Sequence, residues 1–232
     1  MEDQNKKSYS CLLIFVEFFL WDLKHSDYKD EFDFTELNTI LEQKIKLTNI
    51  YPEKSLIFNA FNLCPFNKIK VVVIGLEPYI NKFSNGLTFS VKPDSKIPAS
   101  LNNIYKELFN DLHITNTTGD LTKWAKQGVL LLNTRLTVDD SSKHTFWKSF
   151  IDNVIQLINA KHKHIIYILF GNIAHSKEKL IDSKNNLVIK LAHPSPNMTY
   201  KSKFPLIGSK CFSKSNKYLK LKNKDPINWK IF

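Results

Sequence analysis

Glu77, Asn133, the Gly171-Asn172 pair and His193 each stand just past a short apolar run, and together they hold polar groups on which a reaction could be built. A carboxylate can stabilise growing positive charge and hold a water. A neutral imidazole can donate to growing negative charge, and an amide presents a donor and an acceptor side by side. The runs are Val71 to Ile74, Val129 to Leu132, Ile165 to Phe170 and Leu187 to Ala192. They lead into Gly75-Leu76-Glu77-Pro78-Tyr79, Asn133, Gly171-Asn172 and His193-Pro194-Ser195-Pro196 respectively. Runs of this length, rich in β-branched and aliphatic residues and separated by longer mixed segments, read as buried strands of a parallel sheet. Ligands of such sheets sit at the carboxyl ends of the strands. The carboxylate, amide, glycine turn and histidine are therefore expected in one crevice, although they are far apart in sequence.

The elements that must position them follow from the same reading. At 232 residues, with 43% hydrophobic and 12% aromatic content, the chain suits one globular domain with a full core, spanning 1–232 and opening with a helical part over 1–60. Residues 12–24 and 33–47 read as helices, and Pro52 and Pro65 punctuate the approach to a first strand over 69–74. A long loop over 77–98 follows. Ser100 is placed to cap a helix reaching about Asp111, with Asn103 at its third helical position. Residues 147–159 form a further helix with Phe150, Ile151, Val154, Ile155 and Ile158 on one face. Alternating strand and helix make the fold α/β, and no repeat or linker marks a domain boundary.

The formal charge of +11 biases the surface toward a polyanion, because phosphate neutralisation dominates nucleic-acid affinity. Charge alone does not separate a nucleic-acid surface from a merely lysine-rich composition. Lysine supplies nearly all of it, and Arg135 is the only arginine, which suits backbone tracking more than base-edge readout. Ten lysines and a single acid, Asp225, lie between Lys190 and Lys230, whereas Asp27 to Glu42 carries six acids and one lysine. The carboxyl-terminal quarter, which holds His193, is thus the expected polyanion face.

Cys11, Cys64 and Cys211 are odd in number and widely spaced, so neither a disulfide framework nor a zinc knuckle is supported, and a reducing intracellular compartment fits. The apolar stretch from Cys11 to Trp21 is interrupted by Glu17 and lacks a small-residue cleavage site, which favours a helix over a signal peptide. No run approaches the roughly 18 apolar residues of a membrane span.

Six segments in order resemble the main branch of the uracil-DNA glycosylases: GLEPY (75–79), GLTFSV (86–91), SLNNIYKEL (100–108), GDLTKWAKQGVLLLN (119–133), AHPSP (192–196) and FSKSN (212–216). The resemblance covers roughly the last three quarters of the chain, and Pro226-Ile227-Asn228-Trp229 resembles that family's end. It implies a three-layer α/β/α fold around a central, twisted, four-stranded parallel sheet, without cofactor or metal, in a monomer acting on uracil-containing DNA, single- or double-stranded. A replication or repair protein is a further expected partner, and no membrane is.

The resemblance also assigns roles. Cleaving an N-glycosidic bond requires stabilising positive charge on the sugar and negative charge on the departing base, and a water to complete the hydrolysis. Glu77 suits the first and third tasks, and His193 is the expected donor to a uracil carbonyl. Read alone, Glu77 would be a loop acid satisfied by backbone amides and His193 a structural histidine. Asn133 would donate to one uracil carbonyl and accept from the ring N–H, a pattern cytosine does not present. Phe89 would stack on the base, Tyr79 would fill the space thymine's methyl needs, and Leu76 would contact the base partly through its backbone. Pro98, Ser100, Gly171, Asn172 and Ser195 match phosphate-gripping loops. Asn197, Met198, Tyr200 and Lys201 complete the expected DNA contacts, with Met198 the better wedge between base steps.

Departures from the family concentrate here. The family's Gly-Gln-Asp-Pro-Tyr-His stands as Gly75-Leu76-Glu77-Pro78-Tyr79-Ile80, and the loop to Gly86 is one residue shorter. Glutamate adds a methylene to the carboxylate's reach, and misplacement by ~1 Å can cost on the order of 10²-fold in rate. Ile80 removes a polar neighbour of the water, and Asn197 stands where the family has a leucine wedge. The leading expectation is an active glycosylase with an altered water-activating loop. The alternative is a catalytically weakened DNA-binding or replication-accessory protein, against which the retention of Tyr79, Phe89, Asn133 and His193 argues. A hydrolase of another class lacks a nucleophile motif or metal cluster.

Overall fold

A computed structural model describes residues 50–139, 145–196 and 202–231, and the helices expected over 12–24 and 33–47 lie outside them. The chain divides into two units, 1–50 and 51–232, and the site belongs to the second.

Four strands form at the apolar runs: β1 (Val71–Gly75), β2 (Val129–Asn133), β3 (Ile166–Phe170) and β4 (Leu187–Leu191). All their pairings are parallel, in the order β2-β1-β3-β4. Every residue of β1, β2 and β3 is buried, which is why these strands read as continuous apolar runs rather than as alternation. The α/β class and the four-stranded parallel sheet are as the sequence predicts.

The helices are α1 (Asn59–Leu63), α2 (Ala99–Leu112), α3 (Thr122–Ala125), α4 (Trp147–Lys161), α5 (Gly171–His175) and α6 (Cys211–Leu221). The crossover carrying α2 and α3 runs from β1 outward to β2, and the crossover carrying α4 returns past β1 to β3. Right-handed crossovers of opposite direction place their helices on opposite faces of the sheet, giving three layers. The reversal also puts a topological switch point between β1 and β3, the place at which parallel sheets bind ligands at the strands' carboxyl ends.

Ser100 does not cap α2. Pro98 holds the N-cap position without a side-chain bond, and Ser100 lies inside the first turn. Proline's fixed φ and missing N–H suit it to a helix start, and here it displaces the capping serine by two positions. The predicted apolar face of α4, from Phe150 to Ile158, is buried as expected. Cys64 and Cys211 are free and buried, and burial pushes both thiols up to about 12.

Candidate active site

The register of β1 against β2 pairs Gly75 with Asn133, so the segments leaving these strands run side by side. They are sewn together past the sheet. The Thr134 amide donates to the Gly75 carbonyl (3.0 Å), and the Leu76 carbonyl accepts from the Arg135 amide (3.0 Å) and the Thr134 hydroxyl (2.8 Å). Glu77 follows directly. Its Oε2 accepts from Arg135 Nη1 at 2.6 Å, an ion pair between half-buried side chains. Residue-type reasoning singled out Glu77 but not Arg135, whose signal was its standing as the only arginine, two positions after Asn133.

Asn133 is 4% exposed, and its Oδ1 is buried with no hydrogen-bond partner among the described residues. Thr88 Oγ1 is likewise unpartnered. A Cβ on Gly75 would lie 2.0 Å from Thr88 Oγ1 and 2.9 Å from Asn133 Oδ1, so only glycine lets these groups approach.

The loop that delivers Phe89 is built by a small polar network. Asn85 Nδ2 donates to Ser90 Oγ (2.9 Å) and to the Val91 carbonyl (3.1 Å), and the Leu121 amide donates to Ser90 Oγ (3.0 Å). The Thr88 amide bonds the Leu131 carbonyl of β2 at 3.0 Å. GLTFSV and GDLTKW thus sit together because one serves as the other's support. Phe89 itself is held at φ +62°, a left-handed backbone that a bulky residue adopts only under constraint. Its ring stands edge-on to Phe170 (5.0 Å) and His193 (6.1 Å). The Tyr79 hydroxyl donates to the Phe89 carbonyl at 3.4 Å, and burial pushes its pKa upward. Ile80 points to solvent, 54% exposed.

His193 leaves β4 against Gly171, where an added Cβ would lie 3.3 Å from the His193 Cβ. The Ser195 amide points at His193 Nδ1 (3.2 Å). Nδ1 therefore accepts, and the neutral ring carries its proton on Nε2. Burial lowers the His193 pKa below its ordinary value, while the negative charge of Glu77 works in the opposite direction. A neutral imidazole with a fixed Nε2–H is the form suited to donation.

Asn103, on α2, donates to the Pro194 carbonyl at 2.9 Å. That bond ties the Pro98–Ser100 helix start to the Pro194–Ser195 loop, a positioning role the sequence reading missed. Gly171 and Asn172 open α5 beside His193, with Asn172 exposed. Asn197, Met198, Tyr200 and Lys201 lie outside the described residues. Leu76, Glu77, Tyr79, Phe89, Asn133 and His193 are all placed at the carboxyl end of the sheet by these contacts.

A sequence model of the uracil DNA glycosylase superfamily matches residues 61–220. The chain belongs to this superfamily. The uracil-DNA glycosylase of Campylobacter jejuni subsp. jejuni is 45% identical over 213 residues, covering 88% of this chain and 90% of that protein. Among solved structures, the mimivirus uracil-DNA glycosylase matches with a TM-score of 0.75 and 28% identity, over 94% of this chain and 86% of that one. A variant of that viral enzyme in complex with UGI matches with a TM-score of 0.77. The superfamily membership accounts for the order of the six motifs, and the Glu77–Arg135 pair is laid on that shared scaffold.

Proposed function

We propose that this protein excises uracil from DNA by hydrolysing the N-glycosidic bond, the first step of base excision repair. The observation that carries the reading of the site is Asn133, a sealed side chain whose Oδ1 has no partner among the described residues. Leaving a buried acceptor unpaired costs about 1–3 kcal/mol, and a uracil ring N–H would remove that cost once the Asn133 side chain turns its Oδ1 toward the base. Cytosine, lacking an N–H there, would leave it standing.

The base enters the crevice by flipping out of the helix, at a cost of a few kcal/mol in unstacking. Phe89 stacks on it and Tyr79 closes the position of a 5-methyl group. His193 donates from Nε2 to a uracil carbonyl as negative charge grows on the base. Because the imidazole starts neutral and its proton is already oriented, little reorganisation is needed as the bond breaks. Glu77 stabilises the positive charge on the sugar and receives the attacking water's proton. Pro98, Ser100, Gly171, Asn172 and Ser195 support the flanking phosphates, through exposed or half-buried loop positions that Asn103 and Gly171 hold near His193. Exposed Lys203, Lys210 and Lys214 add long-range attraction for the backbone. The free, buried cysteines support action in a reducing intracellular compartment.

The test is release of free uracil from a uracil-containing oligonucleotide, single- and double-stranded, with cleavage at the abasic site as readout. Release well above the rate of a Glu77→Gln variant is expected. Equal inactivity of both proteins, with DNA binding retained, would replace this function by that of a DNA-binding module.

A further inference from the structure

We propose that Arg135 is a positioning residue for base release: it holds one oxygen of the Glu77 carboxylate and leaves the other to the sugar and the attacking water. The inference rests on the reading of Glu77 as the reacting carboxylate. The guanidinium meets Glu77 through one contact, Nη1 to Oε2 at 2.6 Å. This is the only side-chain hydrogen bond of Glu77 to a described residue, so Oε1 has no protein partner among them.

Arg135 rises from backbone fastened to the segment that leads into Glu77. The Arg135 amide is bonded to the Leu76 carbonyl, next to Glu77, and Thr134 is bonded to Gly75 and Leu76 through both its amide and its hydroxyl. A side chain anchored this way can transmit position to its neighbour. Glutamate needs such a guide more than aspartate does, because its extra methylene adds a rotatable bond and a wider range of carboxylate positions. The chain uses lysine at every other basic position, yet here it places a planar donor fork that fixes direction as well as charge.

The opposing effect is electrostatic. A guanidinium offsets the negative field with which Glu77 would stabilise a cationic sugar. It contacts Oε2 and leaves Oε1 free, so the proposal puts the sugar and the water on the Oε1 side, and both side chains keep partial solvent contact at 17% and 22% exposure. Screening weakens the charge effect more than it weakens the geometric one. Position is therefore expected to win, and the opposite sign would be plain in the rates.

Single-turnover uracil release and affinity for the same uracil-containing duplex, with melting temperature as a control for folding, test this in native protein, Arg135→Gln, Arg135→Lys, Glu77→Gln and the Arg135→Gln/Glu77→Gln double variant. Arg135→Gln should slow release by about 10- to 100-fold, the scale of a carboxylate misplaced by ~1 Å, with affinity changed by no more than about threefold. Arg135→Lys should recover part of the rate. In the Glu77→Gln background, Arg135→Gln should cost nothing further, since the group it positions is gone. Release by Arg135→Gln as fast as or faster than native would overturn the proposal, as would full additivity of the two losses. Arg135→Lys serves as the probe if Arg135→Gln fails to fold: a slowed Arg135→Lys whose loss vanishes in the Glu77→Gln background supports the proposal, and one as fast as native overturns it. Native protein that releases no uracil overturns the glycosylase reading along with this inference. An active native protein with an unaffected Arg135→Gln overturns this inference alone.

Discussion

Glu107 and Asn133 are sealed from solvent almost equally, at 0% and 4% exposure, and the fold treats them in opposite ways. The Glu107 carboxylate on α2 accepts from the Gly208 amide (2.6 Å), the Lys210 amide (2.7 Å) and the Ser209 hydroxyl (3.2 Å). One turn along, Asp111 accepts from the Ser213 amide at 2.8 Å, so α2 fastens the start of α6. Asn133 ends a central strand with its Oδ1 unpaired among the described residues. A buried polar group with every partner in place is architecture. One without a partner stores an unmet bond, and at the carboxyl end of a parallel sheet a ligand meets it once the side chain turns toward the ligand. Glu77 stands between the two cases, with one oxygen held by Arg135 and one left open.

The difference can be broken most directly at Glu77. Glu77→Gln should slow base release by roughly 10²- to 10³-fold, the scale for losing a group aimed at transition-state charge. DNA affinity should stay nearly unchanged, since uniform binding does not depend on that carboxylate. Single-turnover kinetics beside a binding titration checks both halves.

Substitution at the two sealed groups should then separate activity from stability. Asn133→Asp should admit cytosine, because a carboxyl group can accept from the exocyclic amine that the amide repels, and cytosine release from a matched oligonucleotide measures it. Glu107→Gln should do the reverse, lowering stability by about 1–3 kcal/mol in a denaturant titration while the folded protein releases uracil at the native rate. A stable Glu107→Gln variant would show that full partnering is not what marks a structural residue here.

The His193 titration offers a finer probe. Its pKa is depressed by burial and raised in part by Glu77, so the neutral donor is lost only when pH falls through a value below the ordinary histidine range. Base release should decline only as the pH falls below the ordinary histidine range. In Glu77→Gln the raising influence disappears, and the His193 imidazole, followed by NMR, should titrate at lower pH still. An upward shift would mean that Glu77 does not face the ring. The smallest effect is expected at the exposed lysines. Replacing Lys203 and Lys214 by alanine should flatten the slope of log affinity against log salt by about 1 to 2 units and leave single-turnover release at saturating enzyme unaltered.

By itself the sequence determined the sheet and the location of the candidate site. Short apolar runs are forced into buried parallel strands because their burial is continuous, and polar punctuation at their ends must then fall on one edge of the sheet. It also carried the motifs that match the superfamily. What it did not carry were relations between residues that only strand register brings together. Glu77 and Arg135 are 58 positions apart, and Asn103 and Pro194 are 91 apart. No periodicity couples such pairs. Ser100 has a capping residue's chemistry, yet the helix begins at Ala99 with Pro98 as its N-cap. Gly75 opposite Asn133 was decided by hydrogen bonding between β1 and β2, which carries Thr134 and Arg135 alongside Leu76 and Glu77. The residue types fix which chemistry is available. The pairing register fixes which oxygen is held and which is free, because it sets Thr134 and Arg135 beside Leu76 and Glu77, and a shift of one position would bring other residues together.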